Sequence, residues 1–91
     1  MHNNTALIFW GVIMNINDKI QSFLSDEKIP GAQKVLLKTF ITRTNGQEMT
    51  TDFIQTNIEK LQQTLSSTNK NTRTGVELYM LIRILSGLIS E

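Results

Sequence analysis

From Met14 onward, apolar residues recur at steps of three and four, the spacing that gathers them on one side of an α-helix. Ile16, Ile20, Phe23 and Leu24 mark a first helix over residues 15–25. Asn15 or Asn17 can cap it, and Asp18 suits the positive end of the helix dipole. After a short link, Asp26 to Ile29, Pro30 fits a first helical turn, where its missing N–H is not needed. The second helix is expected over residues 30–44, with Ala32, Val35, Leu36, Leu37, Phe40 and Ile41 as a broad apolar face. Asn45-Gly46 is a strong stop, because both residues tolerate the left-handed conformation of a helix C-terminus.

Ile54, Ile58, Leu61 and Leu65 step by four, three and four, with Phe53 beside them. They predict a third helix over residues 51–66, capped by Thr50 or Thr51. Residues 67–73 contain no apolar side chain and read as a loop. Thr74-Gly75-Val76-Glu77 matches a capping box, in which the Thr and Glu side chains satisfy each other's backbone donors. That places the start of a fourth helix near Gly75 and its end near Ile89. This helix is apolar almost all round, which makes it either the centre of the core or the bearer of a partner-binding face. Four helices with short links predict an all-α, antiparallel up-down-up-down four-helix bundle. Period-two alternation is nowhere sustained, and five Gly with one Pro are few for a turn-rich β fold.

Residues 1–13 do not continue the pattern. Eight of the thirteen are apolar and none is Lys, Arg, Asp or Glu. The run lacks the basic segment and the small-residue cleavage site of a secretory signal. It is also far short of the roughly 20 apolar residues that span a bilayer. Trp10-Gly11-Val12 back-translates to a purine-rich GGGGAG when Gly11 is GGA, a few bases before the Met14 codon. That is a ribosome-binding sequence at a workable distance. The expectation is that Met14 is the start, that residues 1–13 are a non-native apolar extension, and that residues 14–91 form the single domain. Leu7, Ile8, Phe9 and Trp10, where translated, are apolar enough to seek a surface of the bundle or of a neighbouring copy.

Composition narrows the chemistry. There is no Cys and one His, His2, so neither a thiolate metal site nor a nucleophile–base set is available. The carboxylates fall at helix ends, links and polar faces, and none stands in the Glu-x-x-His setting of bundle metal sites. The glycines are scattered, so no phosphate-cradling loop exists. No enzyme, cofactor or metal is expected. Nine Lys and Arg against eight Asp and Glu leave +1, which disfavours a nucleic-acid binder. A helix-turn-helix over segments two and three would have only Lys60 as a cation on its reading helix. Frequent Ile, Asn and Lys point to an AT-rich coding sequence, as in a low-GC bacterium or its phage.

Two features remain as partner-binding candidates. One is the cationic, amide-rich loop with Asn69, Lys70, Asn71 and Arg73, suited to an acidic partner or lipid headgroups. The other is the surplus apolar surface of the fourth helix, with Tyr79 as an amphipathic anchor and Arg83 beside it.

The order of features resembles a known family. A first helix of the form Ile16-x-x-x-Ile20-x-x-Phe23-Leu24 precedes Val35-Leu36-Leu37, the Asn45-Gly46 turn and the stretch from Asn57 to Leu65. A polar loop and a helix with Leu78-Tyr79-x-x-Ile82 follow. This is similar to the small bacteriocin immunity proteins of lactic acid bacteria and streptococci, the enterocin A immunity type, over about residues 15–87. The resemblance implies a cytoplasmic bundle, peripheral at the membrane, that protects a producer from its own pore-forming peptide. It implies as partner the sugar phosphotransferase permease, the membrane receptor, with bacteriocin bound. The C-terminal half of such proteins generally carries bacteriocin specificity, which by position implicates the loop and the fourth helix. The chain ends at Glu91 without the tail of longer members, and this moves the expected determinant to the loop. A monomer or weak homodimer is expected. The rival reading is a small phage or plasmid regulator or adaptor that binds protein or DNA.

Overall fold

The computed structural model describes residues 15–90, and the reading of residues 1–13 concerns sequence outside them. The described residues form four helices and no strand: α1 (Ile16–Ser25), α2 (Gly31–Arg43), α3 (Thr51–Ser66) and α4 (Arg73–Ile89). The all-α, four-helix architecture is the one the periodicity predicts.

Local chemistry sets most of the boundaries. The Asn15 side chain accepts a hydrogen bond from Asp18 N at 2.8 Å and caps α1. Beyond Ser25, the Asp26 carboxylate accepts from Lys28 N at 2.9 Å, and the Asp26 carbonyl accepts from Ile29 N at 3.1 Å. Those two bonds turn the chain toward α2. Pro30 stands at the N-cap of α2, so the helix starts one residue later than expected, at Gly31. Its carbonyl accepts from Gln33 N and Lys34 N, and the absent N–H costs nothing there. After Thr44, Asn45 (φ 53°) and Gly46 (φ 80°) both adopt the left-handed conformation that ends the helix. Thr50 Oγ1 accepts from Phe53 N at 3.1 Å and caps α3.

The start of α4 corrects the expectation. Its N-cap is Thr72, whose Oγ1 accepts from Gly75 N at 3.1 Å, and the helix begins two residues earlier, at Arg73. Thr74 is not the cap. Glu77 then lies too deep in the helix to reach back to a cap. Its carboxylate instead accepts from Arg73 Nε at 3.3 Å. The deciding residue is Gly75, which is buried with its Cα pressed on the loop. A Cβ at this position would run into the Asn69 carbonyl oxygen and come within 2.9 Å of Lys70 Cα.

Core packing centres on α4. It packs against α1, α2 and α3, and contact among those three is slight. The buried cluster takes Ile20 from α1, Leu37 from α2, Ile54 and Ile58 from α3, and Ile82, Leu85 and Leu88 from α4. Leu37, Ile54 and Leu85 are closed to solvent entirely. Burying such a side chain contributes roughly 1.5–3 kcal/mol each. No polar or charged side chain shares this core among the described residues, so no buried group needs a hydrogen-bond partner. Phe23, Phe40, Phe53, Leu61, Leu65 and Leu81 pack on its edge, with the Phe40 and Phe53 rings 6.5 Å apart and tilted by 44°.

The expected broad apolar face of α2 is narrower than its composition. Leu37, Phe40 and Ile41 face inward, whereas Val35 is 59% exposed. Two residues are about 200° apart around a helix, so Val35 and Leu37 cannot both reach one core. Similarly, α4 buries Gly75, Ile82, Leu85 and Leu88 along one side and leaves Val76 and Tyr79 about half exposed on the other.

Candidate functional site

The six residues singled out from sequence lie in the loop between α3 and α4 and on the outward side of α4. The loop is closed by its own polar groups. Thr68 Oγ1 donates to Thr64 O at 2.7 Å, and the Asn69 side-chain oxygen accepts from Asn71 N at 2.9 Å. The Asn69 carbonyl accepts from both Thr72 N (3.1 Å) and Thr72 Oγ1 (2.6 Å). Thr72 in turn caps α4. Asn69 is therefore a structural hinge of the turn, with its acceptors already engaged. Lys70 and Asn71 project at the exposed tip.

Along α4 the outward residues follow helical steps: Arg73, Val76, Tyr79 with Met80, Arg83 and Gly87. They lie opposite the side that carries Ile82, Leu85 and Leu88. All are exposed except the half-buried Met80. Arg83 donates to Tyr79 Oη at 3.2 Å, and its guanidinium carbon lies 5.8 Å from the ring centroid. The contact holds the phenol and the guanidinium side by side, at a gain of about 0.5–1 kcal/mol for such an exposed pair. Arg73 has a 91% exposed side chain and pairs only with Glu77. An ion pair so open to water contributes little to stability. The structure thus brings Arg73, Tyr79 and Arg83 onto one surface, with Lys70 and Asn71 at its N-terminal end.

Charge is distributed unevenly between the two parts of the chain. Residues 15–59 carry five Lys and Arg against six Asp and Glu. Residues 60–90 carry Lys60, Lys70, Arg73 and Arg83 against Glu77 alone. The near-neutral total conceals a surplus of three positive charges in the C-terminal third.

Two clefts were not foreseen from the sequence. The larger, about 740 Å³, runs between α2, α3 and α4 and is lined by Val35, Leu36, Phe40, Phe53, Leu78 and Leu81. Its rim holds Arg43, Asn57 and Glu77. Its signal in the sequence was the consecutive Val35-Leu36-Leu37, more apolar side chains than one helix stripe can bury. The smaller, about 460 Å³, lies between α1, the start of α2 and α4, where Lys19, Phe23 and Arg83 meet Ile84 and Gly87. At its edge Lys19 Nζ donates to Ser90 O at 2.6 Å and ties the first helix to the end of the fourth.

Among the described residues, no group of three His, Cys, Asp or Glu could hold a metal ion. No helix among them is long and apolar enough to cross a membrane. What the site offers is a surface of Arg73, Val76, Tyr79, Met80 and Arg83 on α4 with Lys70 at the adjoining loop tip. Comparison with protein-family models, with curated proteins and with solved structures finds no match.

Proposed function

We propose that this chain is a non-enzymatic bacteriocin immunity protein that binds the bacteriocin–receptor assembly from the cytoplasmic side of the membrane. The receptor in this reading is the sugar phosphotransferase permease, and the bound protein blocks the leak. The observation that carries it is the outward face of α4 and the loop before it, where Lys70, Arg73, Tyr79 and Arg83 stand free of the core. The resemblance of the helix order to the enterocin A immunity type supports it. So does the four-helix architecture, which such proteins share. Within this reading Lys70, Arg73 and Tyr79 make the principal contacts, Arg83 steadies Tyr79, and Asn69 shapes the loop that presents them.

The test is protection. The full chain, expressed in a sensitive strain, should raise the tolerated dose of one cognate peptide, and a peptide gene beside its own gene supplies the candidate. Lys70→Glu with Arg73→Glu should lower protection while stability stays within about 1 kcal/mol, as for exposed positions. No protection against any neighbouring peptide refutes the reading. A large stability loss in the double variant would instead make the loop purely structural. A chain that shifts DNA in a gel at physiological salt would favour the regulator alternative.

A further inference from the structure

We infer that the outward face of α4 docks on an anionic lipid surface, with Lys70, Arg73 and Arg83 over the headgroups and Val76, Tyr79 and Met80 at the interface. The inference rests on the immunity reading for its compartment, but its surface comes from the geometry of α4. From Arg73 to Arg83 the face is about 15 Å long at the rise of an α-helix. In that length Glu77 is the lone carboxylate, and it is paired with Arg73. Lys70 in the loop and Arg73 and Arg83 on α4 therefore leave this surface with two more positive than negative charges, while residues 15–59 are slightly acidic. Charge complementarity selects an anionic occupant.

The apolar members select a lipid one. Val76 is 47% and Tyr79 52% exposed, between the cations. Apolar side chains among the cations add nothing to phosphate contacts along nucleic acid. At a bilayer they enter the headgroup region while the cations stay outside. Tyr79, with an apolar ring and its hydroxyl held by Arg83, is the side chain that favours such a boundary. A single outward helix face is convex, so it meets a flat surface without a shaped pocket.

The magnitude follows from the cations. Each Lys or Arg near an anionic surface strengthens partitioning about fivefold, so three give roughly a hundredfold preference over neutral lipid. Glu77 removes about one such factor, leaving about 25-fold. The preference must collapse at high salt, where the screening length falls to about 3 Å.

The experiment is co-sedimentation of the full chain with phosphatidylcholine vesicles, with and without phosphatidylglycerol, at low and high salt. The expected result is binding about 25-fold tighter to the anionic vesicles and lost at high salt. Lys70→Glu, Arg73→Glu, Arg83→Glu together should abolish the preference. Lys28→Glu, Lys38→Glu, Arg43→Glu, the same charge change elsewhere, should retain most of it. The neutral triple change to Gln at Lys70, Arg73 and Arg83 repeats the test should the charge-reversed chain lose helical signal. Tyr79→Ser should weaken binding several-fold at low salt. Equal binding to both lipids, or equal loss in the control triple, overturns the inference. So does binding unchanged in every variant, which would place the contact in the apolar residues 6–13. Lipid binding without protection leaves the docking face standing and sinks the immunity reading. Protection that needs Lys70 and Arg73 without any lipid binding does the reverse and points to an acidic protein partner.

Discussion

Gly75 and Gly87 lie in the same helix, and the same substitution should move stability in opposite directions. In a helix interior, Gly→Ala gains about 0.5–1 kcal/mol, because alanine loses less backbone freedom on folding. At Gly87 nothing lies within 4 Å of an added Cβ, so Gly87→Ala should collect that gain. At Gly75 the added Cβ would meet the Asn69 carbonyl oxygen and lie 2.9 Å from Lys70 Cα. Both are backbone atoms, so no side chain can swing aside. The turn must open, and its hydrogen bonds from Thr72 N and Thr72 Oγ1 to Asn69 O are the first to stretch. Overpacking of this kind costs about 1–3 kcal/mol, which exceeds the propensity gain. The net expectation for Gly75→Ala is a loss of about 1–2 kcal/mol, or roughly 4–16 °C in Tm for a domain of this size. Thermal and urea unfolding followed by circular dichroism would measure both variants. A Gly75→Ala chain as stable as the parent would show that the turn does not press on α4, and the account of the Thr72 cap would fall with it.

Two further outcomes follow from the same packing. Leu85→Ala should cost about 2–5 kcal/mol, since Leu85 is wholly buried in the central helix and its neighbours are held by all three other helices; urea titration reads this directly. Thr72→Ala should cost about 1 kcal/mol by removing the cap of α4, whereas Thr74→Ala should stay within about 0.5 kcal/mol, and the reverse order would restore the capping box at Thr74.

The helix content was legible because it depends on local patterns. Thr50, Asn15 and the Asn45-Gly46 pair each act on backbone groups within a few residues, so their roles follow from neighbours in the chain. α3 begins and ends where the seam of Ile54, Ile58, Leu61 and Leu65 predicts. The capping box at Thr74 failed for a nonlocal reason. Thr72 and Thr74 are both competent caps, and Glu77 suits the second. The choice fell to Gly75, whose lack of a side chain lets α4 approach the turn. No spacing rule contains that approach. The candidate binding residues were found by type, as cations and a tyrosine near the C-terminus. Sequence could not separate Asn69, whose acceptors are consumed inside the turn, from Lys70, which stays free for a partner.

The run of apolar residues in the fourth segment determined on its own that this helix would be either the centre of the core or a binding face. Periodicity stops there, because a helix apolar all round has no preferred side. Tertiary structure decided that one side is core and the other is exposed. Packing against α1, α2 and α3 covers the side with Ile82, Leu85 and Leu88. Three helices cannot enclose a fourth completely, so the opposite side, with Val76, Tyr79 and Arg83, remains in water. The same limit decided α2: Val35, Leu36 and Leu37 are adjacent in sequence and equally apolar. Only Leu37 is fully buried, because successive residues turn by about 100° and α4 can cover one of those directions.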